Sequence, residues 1–366
     1  MISKDEILSI LKTYNYDDLT IASLGSHSAL EILDGAKEEA FKTVCVCQKG
    51  RETPYRKFKR ISDEIIIVDN FTDLNNSEVQ QKLLDRNSIF VSNRSFATYV
   101  GYDNIENNFK VPIFGNRFIL RAEERNMPKN QYFLLQQAGI SHPKIIKNPV
   151  NIEGPCIVKV QEAKRKMERA FFFVTSYKDY ISKSENRIKK GIIDEDDLSN
   201  AIIEEYAIGT YFNFNFFYSP LNDETDFLGI ERRLQTNIHD FTTSLTANQQ
   251  LELQIELQNI EIGHTPASIR ESMLEKVFDI GNKFSNAVKR IYPPGILGPF
   301  SLQSVVTKDL DIIVYDVSLR VPGNPILATT SPYTKYQYGF TMGVGRRISM
   351  EIKNAVQLSK LDQIVT

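Results

Sequence analysis

The sequence predicts an α/β protein of two or three domains that opens on a Rossmann-like parallel sheet. Three observations carry that prediction. Residues 1–120 alternate short apolar runs with helical patterns, the arrangement that builds parallel sheets. From about residue 200 the chain turns strand-rich, with Phe212, Phe214 and Phe216 alternating against Asn213 and Asn215. The chain has 366 residues, which at about 100–200 per domain makes two or three domains.

The elements follow in order. Leu19–Leu24 reads as a strand that stops at Gly25, and Ala29, Leu30, Leu33, Ala36 and Ala40 mark a helix after it. Ser28 and Glu31 have the spacing of a capping box at its start. Strands are expected at Thr43–Cys47, Glu64–Val68 and Ser88–Val91. Ala122–Lys129 is polar and reads as a helix or linker, and Gln131–Ala138 as a helix closed by Gly139. Cys156–Val160 and Ala170–Thr175 are strands flanking a charged reversal, and Ser176–Lys190 is helical. Ala201–Tyr206 and Tyr211–Tyr218 are strands, and Ser268–Lys289 is a long amphipathic helix. Phe300–Val306 and Asp311–Val321 are strands, and Gly345–Lys360 is the last helix.

Composition excludes several classes. A formal net charge of -2 supplies no basic field for nucleic acid. The N-terminal residues are charged, and no apolar run approaches the roughly 18–20 residues of a membrane span, so a cytoplasmic protein is expected. Cys45, Cys47 and Cys156 lie in apolar, strand-like runs with no nearby histidine, and are expected to be buried thiols.

Two segments have residues suited to chemistry. In Gly25-Ser26-His27-Ser28 a strand gives way to a helix, where unpaired N–H groups and the helix dipole attract anions. His27 there can donate to a phosphate or move a proton; a capped helix with a surface histidine is the alternative. In the last strand Asp316, Ser318 and Arg320 fall on one face, and Tyr315, Val317, Leu319 and Val321 on the other. Its hydrophobic neighbours make the strand central in its sheet. A reversal between Asp309 and Leu310 sets Gln303 opposite Asp316. Two such oxygens suit a Mg²⁺ shared with phosphates, and Arg320 suits a phosphate or carboxylate. An internal Asp–Arg ion pair is the alternative. Glu204-Glu205-Tyr206, ahead of Gly209, could meet a nucleotide's ribose and adenine; solvated acids on an edge strand are the alternative.

These segments, in this order, resemble the ATP-grasp superfamily. The motifs are Gln137-Ala138-Gly139-Ile140-Ser141-His142-Pro143, Ile157-Val158-Lys159, Ile203-Glu204-Glu205-Tyr206 with Gly209, and the Asp316, Ser318, Arg320 strand. More narrowly the chain is similar to the PurP family, the formate-dependent 5-formaminoimidazole-4-carboxamide ribonucleotide (FAICAR) synthetases of folate-independent purine synthesis. That likeness rests on Leu24-Gly25-Ser26-His27-Ser28, Val68-Asp69-Asn70-Phe71, Phe114-Gly115-Asn116-Arg117, Phe217-Tyr218-Ser219-Pro220-Leu221, Ile269-Arg270-Glu271-Ser272 and the long string Pro293 to Ser304.

The resemblance implies an ATP-grasp fold preceded by a Rossmann-like domain. Residues 1–121 would hold the nucleotide substrate, 122–200 form a small lid and 201–366 the large domain with the metal. It implies ATP-dependent formylation of aminoimidazole carboxamide ribonucleotide (AICAR) through formyl phosphate. His27, Ser95 and His264 would meet the AICAR-like nucleotide. Lys159, Glu204, Glu205, Tyr206 and Glu231 would hold ATP. Gln303 and Asp316 would bind Mg²⁺ or Mn²⁺, and His27 and Arg320 would act in the catalytic step. A homo-oligomer working on small molecules is expected.

The chain departs from that pattern in places. Gln161 to Arg169 replaces a Gly-rich reversal and contains no glycine, although Lys164, Arg165, Lys166 and Arg169 could meet phosphates through side chains. Pro322-Gly323-Asn324-Pro325 loses N–H donors after Arg320. His264 stands near the place of an asparagine, Asp316 in the place of a glutamate, and Asn93-Arg94-Ser95 lacks a His-Gly pair. Two readings stay open: an active ligase of this type, or a synthetase-like, non-catalytic nucleotide-binding protein that partners one.

Overall fold

The computed structural model describes residues 1–125, 127–160, 171–235, 249 and 261–366. The glycine-free stretch carrying Lys164, Arg165, Lys166 and Arg169 lies outside the described residues.

Three sheets are built in sequence. The first contains β1 (Thr20–Leu24), β2 (Lys42–Gln48), β3 (Glu64–Val68), β4 (Ser88–Val91) and β5 (Ile113–Phe114). Its order is β3-β2-β1-β4-β5 and every pair is parallel. The chain therefore reverses its direction of travel across the sheet between β1 and β4. Ligands of open α/β sheets bind in the crevice at such a switch. Helix α1 (Ala29–Glu38) follows β1 and α2 (Arg94–Val100) follows β4. The three cysteines are buried free thiols, as expected.

The second sheet is antiparallel, with β6 (Ile145–Ile146), β7 (Cys156–Lys159), β8 (Phe171–Val174) and β9 (Ile202–Glu205) in the order β6-β9-β7-β8. Helix α3 (Gln131–Gln137) precedes it, and α4 (Tyr177–Lys189) lies between β8 and β9. β9 is thus an interior strand, contrary to the edge-strand alternative for Glu204.

The third sheet is also antiparallel. It contains β10 (Thr210–Ser219), β11 (Glu224–Gln235), β12 (Glu261–Ala267), β13 (Gly298–Val306) and β14 (Ile312–Ser318), in the order β12-β11-β10-β13-β14. Phe214, Phe216 and Phe300 turn to one face and pack with Val277, Phe284 and Val288 of α5 (Leu274–Ile291). Asn213, Gln303 and Asp316 turn to the other.

Several expectations need correction. The Ser28–Glu31 capping box does not form: the Ser28 hydroxyl donates to the Pro322 carbonyl (2.6 Å), and Glu31 Oε1 accepts from the Val344 amide (2.7 Å). Both side chains serve tertiary contacts instead. α5 starts later than Ser268, because the chain stays extended beyond β12 while the Ile269 amide donates to the Tyr333 hydroxyl (3.1 Å). β14 is an edge strand and not a central one. Several outward N–H groups along it are nevertheless occupied: Val314 donates to the Ser141 carbonyl (2.9 Å), Val317 to Gln131 Oε1 (2.8 Å) and, just past the strand, Leu319 to Glu123 Oε1 (2.6 Å). Arg320 lies past the end of β14. The next residue, Val321, bridges in parallel to Asn93, at the C-terminal end of β4.

The final helix, α6 (Val344–Gln357), crosses back onto α1 of the first sheet. The crossing is tight: a Cβ at Gly35 would lie 2.0 Å from the Arg346 nitrogen, and one at Gly345 would lie 2.2 Å from the Glu31 carbonyl oxygen.

Candidate active site

A cleft of about 330 Å³ opens between the second and third sheets. One wall is built by β7 and β9. Lys159 Nζ lies 2.6 Å from Glu204 Oε2, and the two side chains are 6% and 1% exposed. The other Glu204 oxygen accepts from the Tyr132 hydroxyl of α3. Burial pulls the Lys159 pKa down, and the Glu204 charge opposes that shift. A buried pair survives when its remaining valences are filled, as the Tyr132 bond does here.

The opposite wall draws on a polar row that crosses four strands, of which Asn213, Gln303 and Asp316 line the cleft. Register aligns Glu231 of β11 with Asn213 of β10, Asn213 with Gln303 of β13, and Gln303 with Asp316 of β14. The expected Gln303–Asp316 pairing is present, by a different route. The hairpin pairs Val306 with Ile312, and a bulge between Gln303 and Ser304 then restores the predicted partner. The bulge also brings Tyr315 to the cleft, where the sequence pattern had placed it on the other face.

Gln303 Nε2 donates to Ser318 Oγ (3.4 Å), while its Oε1 is buried and has no hydrogen-bond partner among the described residues. Asp316 Oδ1 accepts from Arg125 Nη2 at 2.9 Å. An unpartnered amide oxygen facing a carboxylate suits a hard divalent cation that takes its other ligands from phosphates. Among the described residues no group of three or more His, Cys, Asp or Glu could hold an ion by itself. The Gln303 and Asp316 oxygens fit a cation shared with phosphates.

Aromatic rings close the outer end. The Tyr211 hydroxyl donates to the Tyr206 oxygen (3.0 Å), Phe173 packs edge-on to Tyr206 (4.9 Å) and Tyr211 edge-on to Tyr315 (5.6 Å). Glu205 is exposed at this mouth. At the inner end Arg94 and Arg320 converge on Glu123, at 3.4 and 3.5 Å. Burial lowers the Arg320 pKa against the pull of Glu123. Among the described residues cations outnumber carboxylates along the lining: Arg94, Arg125, Lys159, Arg232, Arg233 and Arg320 face Glu123, Glu204, Glu205 and Asp316.

His27, Ser95, Glu231 and His264 do not line this cleft. Ser95 and His27 lie instead at the switch between β4 and β1. Asn93 stitches the two strand ends by donating to the carbonyls of Leu24 (2.9 Å) and Ser26 (3.0 Å), and the Ser95 hydroxyl donates to Ser26 Oγ (2.9 Å). His27 has a left-handed backbone, φ 45°. Its Nδ1 lies 2.8 Å from Ser28 Oγ, whose proton is committed to the Pro322 carbonyl. Nδ1 must therefore carry the proton, which leaves Nε2 as an acceptor. His27 is exposed to solvent, and the protein crowded around its ring, then the Arg320 charge, lowers its pKa. His27 is thus neutral at pH 7 and does not offer an anion a positive charge.

Glu231 is 2% exposed and accepts from Asn213 Nδ2 (2.7 Å) and His264 Nδ1 (2.9 Å). His264 Nε2 lies 2.9 Å from Glu261 Oε1. Burial opposes a charge on His264, but the bonds to Glu231 and Glu261 outweigh it and raise its pKa to about 9. The two histidines meet across Gly323. A Cβ there would fall 2.9 Å from His27 Cε1 and 3.5 Å from His264 Nε2, so glycine lets the rings approach. Beside it Asn324 is fully buried, and its two side-chain polar atoms have no partner among the described residues.

Sequence reasoning missed Arg125, Tyr132, Glu123 and Arg233. The signal for Arg233 was available, because it stands two residues after Glu231 on one strand face. The other three sit in the polar segment and helix before β6, where no periodicity marks a site.

Solved structures place this architecture in a class. An IMP biosynthesis protein PurP from Thermococcus kodakaraensis matches 94% of this chain and 100% of its own, with a TM-score of 0.72 and 24% identity. An N5-carboxyaminoimidazole ribonucleotide synthetase in complex with ADP matches 88% of this chain and 76% of its own, with a TM-score of 0.59 and 13% identity. The fold is the ATP-grasp fold preceded by a Rossmann-like unit. Two family models, each described as of unknown function, match residues 179–366 (DUF1297) and 21–146 (DUF1246). Curated relatives named 5-formaminoimidazole-4-carboxamide-1-(beta)-D-ribofuranosyl 5'-monophosphate synthetase are 44% identical in Methanocaldococcus jannaschii, over 100% of both chains, and 41% identical in Methanothermobacter thermautotrophicus, over 100% of this chain and 99% of that one. The chain belongs to the PurP family of ATP-grasp proteins.

Proposed function

We propose that the chain is an ATP-dependent carbon–nitrogen ligase that formylates the 5-amino group of AICAR, using formate and a Mg²⁺ or Mn²⁺ ion. The observation that carries this is the cation-rich cleft with Lys159 on one wall and the Gln303–Asp316 pair on the other. Phosphoryl transfer asks for alignment and charge neutralisation more than for a covalent catalyst.

Lys159 holds the ATP phosphates, with Glu204 fixing its ammonium. Tyr206 and Glu205 flank the adenosine at the aromatic mouth. Gln303 and Asp316 hold the divalent cation, which neutralises phosphate charge when bound. Arg320, with Arg94 behind it, faces the inner end, where formate takes the γ-phosphoryl group. The amine then attacks the formyl carbon of formyl phosphate and inorganic phosphate leaves. Closure excludes water from that acyl phosphate. His27 and Ser95 meet the ribonucleotide at the strand switch, His27 Nε2 accepting an N–H from it. Glu231 acts on this site through His264, holding that ring in place.

The test is ADP release from ATP, formate and AICAR by the full chain, with FAICAR detected as product. Asp316→Asn should cut kcat/KM by roughly a hundredfold or more, the scale of losing one group that stabilises transition-state charge. A folded protein that releases no ADP overturns the ligase reading. If AICAR then raises the melting temperature and Mg-ATP does not, the chain is the non-catalytic nucleotide binder.

A further inference from the structure

Arg125 stands where the proposed cation would bind. Its Nη2 lies 2.9 Å from Asp316 Oδ1, and its Nε lies 3.2 Å from the Tyr132 hydroxyl. Tyr132 in turn donates to Glu204, the partner of Lys159. One guanidinium therefore joins the two walls of the cleft. Its backbone is held as well, since Asn130 Nδ2 donates to the Arg125 carbonyl at 2.6 Å. The Arg125 and Asp316 side chains are 23% and 24% exposed, so the pair is partly desolvated yet open to an incoming ligand.

We propose that Arg125 is a surrogate cation that Mg-ATP displaces: it neutralises Asp316 in the empty cleft, then moves its fork to the polyphosphate that arrives with the metal. This rests on the ligase reading of the same cleft. A divalent ion bound to Asp316 and Gln303 shares the carboxylate whose Oδ1 Arg125 now holds, and the two positive charges repel each other across it. The freed guanidinium keeps its Tyr132 contact and stays between the walls. There the phosphates bound to that ion present oxygens with the bidentate geometry a guanidinium matches. The exchange leaves no carboxylate bare in either state. It also supplies a phosphate anchor through a side chain, in a chain whose expected Gly-rich reversal contains no glycine.

The experiment measures Mn²⁺ binding without nucleotide, by electron paramagnetic resonance, and Mg-ATP binding by calorimetry, on wild type and Arg125→Gln. The variant should bind Mn²⁺ about tenfold more tightly, because the ion no longer competes with a charge-assisted hydrogen bond, and Mg-ATP about tenfold more weakly. A structural role alone would weaken both. Arg125→Lys guards against misfolding of the glutamine variant. It keeps the charge but loses the fork, so it should bind Mn²⁺ as wild type does and Mg-ATP several-fold more weakly. An unchanged Mn²⁺ constant in Arg125→Gln, or equal weakening of both ligands in either variant, overturns the exchange. A wild type that binds neither Mn²⁺ nor Mg-ATP overturns the ligase reading, and this inference with it.

Discussion

Two histidines separated by one glycine are driven to opposite charge states by their partners. His27 is solvent-exposed but lies in the field of Arg320 and stays neutral, while His264 is clamped between Glu231 and Glu261 and stays charged. An unfolded histidine titrates near ~6.5. His264 is raised to about 9, so its stabilisation is complete below about 6.5 and is lost as pH rises through 9. His27 is lowered, so its stabilisation is present above about 6.5 and falls away as pH drops below that value. Melting temperatures of the full chain from pH 6 to pH 10 should therefore fall with pH, and His264→Gln should flatten that fall. A slope unchanged in the variant would show that the clamp does not hold the charge. Only part of this was legible in the sequence. His27 announces itself in a strand-to-helix turn, but its tautomer depends on Pro322, nearly three hundred residues away. The partners of His264 come from a neighbouring strand and from its own, and neither spacing marks them.

At the scale of elements the sequence was most readable where side-chain period meets a buried face. The Phe212, Phe214, Phe216 alternation and the Gln303–Asp316 pairing follow from the pleat. What escaped it was sheet order. β14 is hydrophobic enough to read as central, yet it lies at an edge, with the Ser141 carbonyl and two side chains in place of a sixth strand. Gln131 is central to that cover: its Oε1 accepts from Val317, its Nε2 donates to the Glu123 carbonyl (3.0 Å), and the residue is 1% exposed. Gln131→Ala should lower stability by about 1–3 kcal/mol, the range for stranding buried polar groups, as a shift in the urea midpoint. It should also weaken Mg-ATP binding, because Val317 adjoins Asp316. A midpoint within experimental error of wild type would show that water replaces the glutamine without loss.

The whole molecule is tied together by contacts between distant parts of the chain. α6 lies on α1, Val321 bridges to Asn93, and Ser28 bonds the Pro322 carbonyl. These contacts join the ends of the chain, and no local pattern announces them, which is why residues 201–366 read as a unit in the sequence. Gly35→Ala tests the join. Its methyl group meets the Arg346 nitrogen at 2.0 Å, so the helices must part, at a cost of about 3 kcal/mol, the upper end for overpacking. The melting temperature should fall, and α6 should become a protease site in the otherwise folded chain; wild-type resistance would show that the crossing yields. The plugged rim of β14 bears on how copies of this protein meet. An exposed strand invites another chain to zip on through its free amides, the first step of runaway sheet growth. Here the outward-pointing donors of Val314, Val317 and Leu319 are already spent, so the strand bearing Asp316 offers a neighbour few donors to template on.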